Sequence, residues 1–159
     1  MIKVLFVCLG NICRSPMAEG LFLHKVKKAD LEGKIEVDSS GTGGWHAGER
    51  PDHRMRATAS RHKVELPSRA RKLILEDFAL FDYVIPMDQS NMRDVFSLKG
   101  NEQEANAEIL LMRQFDPLGK DQDVPDPYYG GQNGFEDVFE MLDRSTEELL
   151  AYIREQHGI

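Results

Sequence analysis

The segment that most constrains the fold of this chain is an apolar run that ends in a cysteine close to the amino terminus. After Lys3 the sequence reads Val-Leu-Phe-Val over residues 4–7, and Cys8 follows. A continuously apolar run, in contrast to an alternating one, is typical of a strand buried on both faces of a parallel sheet. We therefore expect a strand over residues 2–7 and an α/β fold, because helices must cover both faces of such a sheet.

A short loop separates Cys8 from a helical pattern that begins at Ser15-Pro16, and Cys8 and Arg14 are the ends of a Cys-x5-Arg segment. The backbone N–H groups of such a loop can surround one oxyanion, toward which the next helix directs its positive amino-terminal end. Arg14 adds a planar fork for two phosphate oxygens. The combined positive potential would hold Cys8 as a thiolate, the nucleophile of a phosphoryl transfer. The five residues between them are Leu9, Gly10, Asn11, Ile12 and Cys13.

The residues around this loop agree with that interpretation. A cysteine at the end of a strand is by itself more typical of a small core residue, and Cys-x5-Arg also arises by chance. Gly10 and Asn11, however, tolerate the positive φ angles of a tight turn, Ser15 is a good N-cap, and Pro16 suits the first helical position. Because loop, cap and helix start agree, the segment predicts a site.

Helices and strands alternate along the rest of the chain. Apolar periodicity predicts helices over residues 15–29, 51–63 and 135–156, and a fourth that Asp88 or Ser90 caps and that ends near residue 98. Strands are predicted over residues 34–39, 83–87 and 108–112, a further strand can form over 70–75, and residues 76–79 form a helical turn. The alternation predicts a doubly wound, four-stranded parallel sheet with helices on both faces, a flavodoxin-like α/β arrangement in a single domain spanning residues 1–159. The loop after Cys8 would then lie at the edge where such sheets bind ligands.

Composition and charge exclude several classes of protein. The net charge is −7, which argues against general nucleic-acid binding. No apolar run approaches the roughly 20 residues of a membrane span, and the first strand runs into the loop without a signal-peptide pattern. Both cysteines lie in one loop, so we expect no disulfide framework and a cytoplasmic location. Residues 1–101 carry 16 basic and 13 acidic residues, whereas residues 102–159 carry 4 and 14, so an anionic substrate could be steered to the basic part.

The glycine-rich stretch 40–48 lacks a dinucleotide-binding pattern. Trp45 within it is either a core residue or, if exposed, a ring that could stack on a substrate. The histidines of this region, His46, His53 and His62, have no carboxylate or cysteine at ligand spacing, so we expect no metal site.

The proline-rich stretch 116–134 is long for a loop inside a domain, which is typical of functional loops. Cleavage of a phosphate ester by a thiolate needs a proton for the leaving oxygen, and Asp126, held between two prolines, is a rigid candidate donor. Tyr128 and Tyr129 could wall the entrance to the site. Spacing alone leaves Asp123 open as the acid, and a plain surface turn open as the alternative.

These motifs resemble those of the low-molecular-weight protein tyrosine phosphatases. Residues 7–16, Val-Cys-Leu-Gly-Asn-Ile-Cys-Arg-Ser-Pro, are similar to the signature loop of that family almost residue for residue, and Asp126-Pro127-Tyr128-Tyr129 resembles its general-acid loop. The likeness covers nearly the whole chain. Further similar stretches are Val37-Asp38-Ser39, Trp45, the segment from Asp77-Phe78 to Asp82-Tyr83, and Met87-Asp88-Gln89-Ser90-Asn91.

The resemblance implies a role for each reacting residue. Cys8 attacks phosphorus to form a cysteinyl-phosphate, and Ser15 donates a hydrogen bond to its thiolate. Arg14 and the loop amides hold the phosphoryl oxygens. Asp126 protonates the leaving phenolate and then activates water. The implied substrate is a tyrosine-phosphorylated protein or a small aryl phosphate. We also expect a monomer that needs neither metal nor cofactor.

The resemblance also implies how the loop is held. Asn11 keeps the loop in its strained shape with help from Ser39. Many members of the family carry a histidine that supports this network, where the present chain has Ser68. The remote support of Asn11 is therefore expected to differ from that of those members.

Three alternatives remain open at the level of the sequence. Trp45, Tyr128 and Tyr129 would line a slot for an aromatic ring, and Ile12 at the lip of the loop would narrow it, which favours phosphotyrosine. The first alternative is a phosphoarginine phosphatase, and relatives that act on phosphoarginine tend to carry threonine at the position of Ile12. A thiol-dependent arsenate reductase on the same fold needs further redox cysteines, and this chain has two cysteines. A non-catalytic phosphotyrosine-binding module would need no general acid.

Overall fold

Four parallel strands form the central sheet. In the computed structural model, which describes residues 1–130 and 132–159, they are β1 (Ile2–Cys8), β2 (Ile35–Gly41), β3 (Tyr83–Pro86) and β4 (Glu108–Ile109), in the spatial order β2-β1-β3-β4. Every neighbouring pair is parallel. The strand order reverses beside β1, so the carboxyl end of β1, at Cys8, lies at the switch point where doubly wound sheets bind ligands. The sequence-based prediction of a four-stranded α/β fold is confirmed.

Helices cover both faces of the sheet. The helices α1 (Arg14–Lys28), α2 (His53–Arg61) and α5 (Gln132–His157) pack on one face, and α3 (Asp77–Leu80) and α4 (Gln89–Lys99) pack on the other. The side chains of β1 alternate between these layers, with Val4 and Phe6 on the first face and Leu5 and Val7 on the second. All four are fully buried, and each contributes about 1.5–3 kcal/mol of hydrophobic stabilisation. This burial on both faces explains why the strand is continuously apolar. Among the helices of residues 1–130 and 132–159, none combines the length and the hydrophobicity that a transmembrane segment requires.

The predicted strand over residues 70–75 does not form. Residue 72 makes a single parallel bridge to Gly41, and the segment otherwise lies as a loop against the end of β2. The backbone N–H of Arg71 donates instead to the side-chain oxygen of Asn11, 3.0 Å away, so that group is not available to a strand ladder. Its guanidinium pairs with Asp38 and Asp77, which fastens the loop between β2 and α3.

The first helix begins one residue earlier than the sequence suggested, and Ser15 is not its cap. The N-cap is Cys13, with no side-chain hydrogen bond to the helix end, and Pro16 is the third helical residue. The Ser15 hydroxyl is engaged with Cys8 and Asn11, so it cannot satisfy the helix N–H groups. Positive φ is also confined to one of the two expected residues, because Asn11 has φ of 57° whereas Gly10 has no positive φ.

The other element boundaries differ by smaller amounts. Helix α2 is shorter at both ends than the predicted 51–63, and Asp52 caps it by accepting from the N–H of Arg54. Asp88, one of the two predicted caps, accepts from the N–H of Asn91 and starts α4. The predicted strand 108–112 is limited to Glu108–Ile109, because Met112–Phe115 turns into a 3₁₀ helix. Helix α5 begins at Gln132, three residues before the predicted start, and shortens the long loop.

Candidate active site

Cys8 lies at the floor of a loop that closes around its sulfur. The Sγ atom is 3.0 Å from the hydroxyl of Ser15 and accepts from the backbone N–H of Asn11 at 3.3 Å. Directly after β2, the N–H of Thr42 donates to the carbonyl of Cys8 and the N–H of Gly43 donates to the carbonyl of Leu9, so these bonds join the loop to the end of β2. A side chain at Gly41 would place its Cβ 2.8 Å from the Leu9 oxygen, so the close approach of the two segments requires glycine there.

The shape of the loop is held by Asn11 at a left-handed backbone conformation. Its amide nitrogen donates to the hydroxyl of Ser15 at 2.7 Å and to that of Ser39 at 3.0 Å, and its oxygen accepts from the N–H of Arg71 at 3.0 Å. The side chain is 2% exposed, so these bonds are made away from water. Asparagine suits the position because it tolerates φ of 57° and offers both donors and an acceptor.

A buried carboxyl group supports this network from below. Ser39 donates to Oε1 of Glu19 at 2.6 Å, and Ser68 donates to the same oxygen at 2.6 Å. Burial raises the pKa of Glu19, although the bonds from Ser39 and Ser68 favour its ionised form. A chain of hydrogen bonds through Glu19 and Ser39 therefore connects Ser68 to Asn11. The sequence analysis did not identify Glu19 as a supporting residue. The pattern that could have indicated it is its position one helical turn after Ser15, on the buried face of α1.

Arg14 is buried and anchored on one side. Its Nη1 contacts Oδ2 of Asp88 at 2.5 Å and the carbonyl of Val124 at 3.0 Å, and its Nη2 lies 3.5 Å from Oδ2 of Asp126. Burial opposes the charged form of Arg14, but the negative charges of Cys8, Asp88 and Asp126 outweigh it and raise the pKa of the guanidinium above its ordinary value. Asp88 thus has two functions, as cap of α4 and as anchor of Arg14, and only the first was predicted from the sequence.

Asp126 and Asp123, which spacing could not separate, lie in different places. Asp126 faces the cleft beside Arg14, and its Oδ1 accepts from the N–H of Tyr128 at 3.0 Å. Asp123 instead accepts from the N–H of Gln89 at the start of α4, 2.9 Å away.

The loop that carries Asp126 is fastened at its base by buried charges. Asp116 is 1% exposed and accepts from Arg113, Arg144 and the N–H of Leu118. Burial opposes ionisation, but these hydrogen bonds, led by that of Arg144, outweigh it and lower the pKa of Asp116 to about 2. Arg113 also donates to the carbonyl of Asp123 at 3.0 Å, which connects this cluster to the segment before Asp126.

A cleft of about 320 Å³ opens above the sulfur of Cys8. Trp45 is 71% exposed with its ring over Gly43, so it is not a core residue, and Tyr129, which also lines the cleft, is 91% exposed. Ile12 lines the cleft although it is largely buried. Asn11, Ser15 and Ser39 lie beneath the cleft rather than in it. The residues that line it are Cys8, Leu9, Gly10, Ile12, Cys13, Arg14, Trp45, His46, Asp126, Tyr128 and Tyr129.

Besides Glu19, the sequence analysis missed two residues at the cleft or in its support. His46 faces the cleft, and its Nδ1 atom bonds to a carboxylate oxygen of Glu49 at 2.8 Å. Arg54 lies over the ring of Tyr128 and donates to its backbone carbonyl at 3.1 Å, which ties α2 to the loop of Asp126. The bond between His46 and Glu49 joins residues three positions apart, whereas that between Arg54 and Tyr128 joins residues 74 positions apart, which no local pattern could reveal. Over residues 1–130 and 132–159, no group of three or more His, Cys, Asp or Glu could hold a metal ion.

A doubly wound sheet with a cysteine and an arginine at the two ends of a loop at its switch point defines a phosphate-binding α/β protein. The chain matches the family model of the low molecular weight phosphotyrosine protein phosphatases over residues 3–158, and it belongs to that family. It is 46% identical over 156 residues to the low molecular weight protein-tyrosine-phosphatase of Streptomyces coelicolor, which covers 97% of this chain and 94% of that relative.

Solved structures agree with this assignment. A protein tyrosine phosphatase from Entamoeba histolytica, with Hepes in the active site, is 37% identical with a TM-score of 0.90 and covers 99% of both chains. An arginine phosphatase of Drosophila is 32% identical with a TM-score of 0.89, covering 96% of this chain and 98% of its own. The fold is therefore shared by proteins named for two different phosphoamino acids.

Proposed function

We propose that this protein hydrolyses phosphotyrosine through a cysteinyl-phosphate, acting as one catalytic domain over residues 1–159. The observation that supports this most is that Cys8, Arg14 and Asp126 face one cleft, with the sulfur at its floor. Donors aimed at the sulfur, from Ser15 and the N–H of Asn11, stabilise its thiolate form. A binding module alone would need neither this thiolate nor the carboxyl group at the mouth of the cleft.

The first step would transfer the phosphoryl group to the enzyme. The thiolate of Cys8 attacks phosphorus on the side opposite the ester oxygen, the sulfur–phosphorus bond forms and the phosphorus–oxygen bond breaks. Arg14, held by Asp88 through Nη1, directs its other edge at two phosphoryl oxygens. Protonated Asp126 donates its proton to the leaving phenolate, so that neutral phenol departs.

The second step would release phosphate. Asp126, now ionised, accepts a proton from water while the water oxygen attacks phosphorus. The sulfur–phosphorus bond breaks, its electron pair returns to Cys8 and the thiolate is regenerated. Asp126 recovers in the second step the proton that it gives in the first, and Cys8 is again a thiolate. The cycle therefore closes with water as the only co-reactant, and we propose no redox agent, metal or cofactor.

The shape of the cleft supports an aromatic substrate. Trp45, Tyr128 and Tyr129 line the cleft together with Cys8, a residue that is only 2% exposed, so a substrate must reach inward past these rings. A flat tyrosyl ring can lie against Ile12 and the aromatic walls, while the short stem of phosphoserine would not reach the floor. Tyrosine-phosphorylated proteins and small aryl phosphates are therefore the proposed substrates. We further propose a cytoplasmic monomer that does not bind nucleic acid, consistent with the net charge of −7.

The decisive experiment is hydrolysis of p-nitrophenyl phosphate by the wild type and by Cys8→Ser, with EDTA present. The wild type should turn over in EDTA. Cys8→Ser should be inactive yet still bind phosphate or vanadate by calorimetry, because the cradle is formed by backbone and Arg14. Cys13→Ser, which removes the other thiol of the same loop, should lose far less. Turnover by Cys8→Ser above contamination would refute the assignment of the nucleophile.

A further inference from the structure

A basic groove lies along α2, outside the active-site cleft. It is an open depression of about 960 Å³ between the face of α2 and the segment 63–69. Residues 50–69 carry six basic and two acidic residues, in a chain whose net charge is −7. The cationic side chains that line the groove are Arg50, Arg56, Lys63 and Arg69, joined by His53, and the one acidic side chain is Glu65.

The four cations of the groove are not neutralised by the protein. Within the described residues, no carboxylate lies within 4.0 Å of the charged nitrogens of Arg50, Arg56, Lys63 or Arg69, whereas Arg54 and Arg61 of the same region are paired with Asp52 and Glu136. Arg56 and Arg69 donate to the carbonyls of Pro51 and Gly48, which orients them without cancelling their charge. A set of like charges without internal partners repels itself unless an anionic ligand is present.

The groove is connected to the rim of the cleft by the backbone. The N–H of Asp52, at the start of α2, bonds to the carbonyl of Ile12 in the phosphate loop at 2.7 Å. From that point the groove-lining residues of α2, His53 to Ser60, extend about 10 Å along the helix, at about 1.5 Å per residue. An extended polypeptide advances about 3.3 Å per residue, so about three residues of a segment that continues from the cleft would span this length of the groove.

We propose that this groove, defined by Arg50, His53, Arg56, Lys63 and Arg69, binds acidic residues that flank the phosphotyrosine of a polypeptide substrate. The inference rests on the proposed phosphotyrosine hydrolysis and adds the sequence class of the substrate. The groove contributes to capture of the polypeptide rather than to the chemical step, because none of its side chains lines the cleft. A small aryl phosphate occupies only the cleft, so the groove does not contribute to its binding.

The test compares three phosphotyrosine peptides of equal length. One carries acidic residues on the amino-terminal side, one on the carboxyl-terminal side, and one carries glutamine and serine instead. The wild type should hydrolyse one of the acidic peptides with a kcat/KM about five- to tenfold above that of the neutral peptide, mainly through KM. Added salt should reduce the preference, because exposed charges are screened.

Two double charge reversals make the test specific. Arg50→Glu with Lys63→Glu should abolish or invert the acidic preference while leaving kcat/KM for p-nitrophenyl phosphate unchanged. Lys28→Glu with Lys34→Glu changes the net charge equally, but these residues end α1 and precede β2, at the opposite end of the sheet from the cleft. That control should keep the preference.

The outcomes separate this proposal from the proposed function. Failure of the wild type on p-nitrophenyl phosphate would overturn the enzymatic assignment itself. Normal turnover of that ester with equal kcat/KM for all three peptides would overturn the groove alone, as would loss of the preference in both reversals. Self-association of the wild type that the Arg50→Glu, Lys63→Glu variant abolishes, without any peptide preference, would assign the groove to a second copy of this acidic chain and refute the proposal.

Discussion

Replacing Asn11 should destabilise the protein through the phosphate loop, whose buried hydrogen bonds this side chain makes. Asn11→Ala removes three buried hydrogen bonds, to Ser15, to Ser39 and from the N–H of Arg71. At about 1 kcal/mol for each net hydrogen bond, the loss is about 3 kcal/mol of unfolding free energy. Alanine at φ of 57° adds about 1 kcal/mol of strain, so the total is about 4 kcal/mol.

Two further variants divide this total between its causes. Asn11→Gly loses the same hydrogen bonds but adopts the left-handed conformation without strain, so it should cost about 1 kcal/mol less than Asn11→Ala. Asp30 has the same φ of 57°, is exposed, and makes no side-chain hydrogen bond to the described residues. Asp30→Ala should therefore cost about 1 kcal/mol, which measures the backbone contribution alone.

The assay is urea unfolding of the four proteins, with and without phosphate. Phosphate stabilises a folded protein that binds it, so the wild type and Asp30→Ala should gain stability from it. The two Asn11 variants should gain much less and should lose kcat. If Asn11→Ala cost no more than Asp30→Ala, or retained the full phosphate effect, the buried network would not be what holds the loop.

The remaining predictions concern the proton donor, the substrate and acid stability. Asp126→Ala should lower the rate roughly 10²- to 10⁴-fold with phenyl phosphate and far less with a dinitrophenyl ester, whose anion leaves unaided, whereas Asp123→Ala should affect both esters little. Equal losses for the two esters would indicate a structural role of Asp126. Ile12→Thr should raise kcat/KM for phosphoarginine relative to phosphotyrosine, because its hydroxyl can serve a polar guanidinium, and unchanged ratios would show that specificity is set elsewhere. Asp116→Asn should remove about 2 kcal/mol of stability that is present above pH 4 and is lost as the pH falls towards the pKa of Asp116, about 2. Urea unfolding at neutral and at acidic pH measures this, and an equal difference between variant and wild type at both values would contradict it.

Several features of the site could be found from local patterns because each depends on residues that are neighbours in the chain. The apolar run before Cys8 predicted the central strand, and the spacing of Cys8 and Arg14 predicted a loop at its carboxyl end. The Asp-Pro pair at Asp126 marked a rigid loop. The prediction over residues 70–75 was wrong because strand formation depends on a partner, and the N–H of Arg71 bonds to Asn11 instead.

The amino-acid sequence by itself determined the α/β class, the two-sided burial of β1 and the candidate nucleophile, since periodicity and spacing are properties of consecutive residues. Only the tertiary structure decided which residues surround them. Asp88 is hydrogen-bonded to Arg14, which lies 74 positions away in the sequence, and Ser68 is hydrogen-bonded to Glu19, which lies 49 positions away. Position also distinguishes Asp126 from Asp123, because Asp126 lies at the cleft beside Arg14 whereas Asp123 accepts from the N–H of Gln89 at the start of α4. Such contacts arise from the packing of whole elements against each other, and no local pattern encodes them.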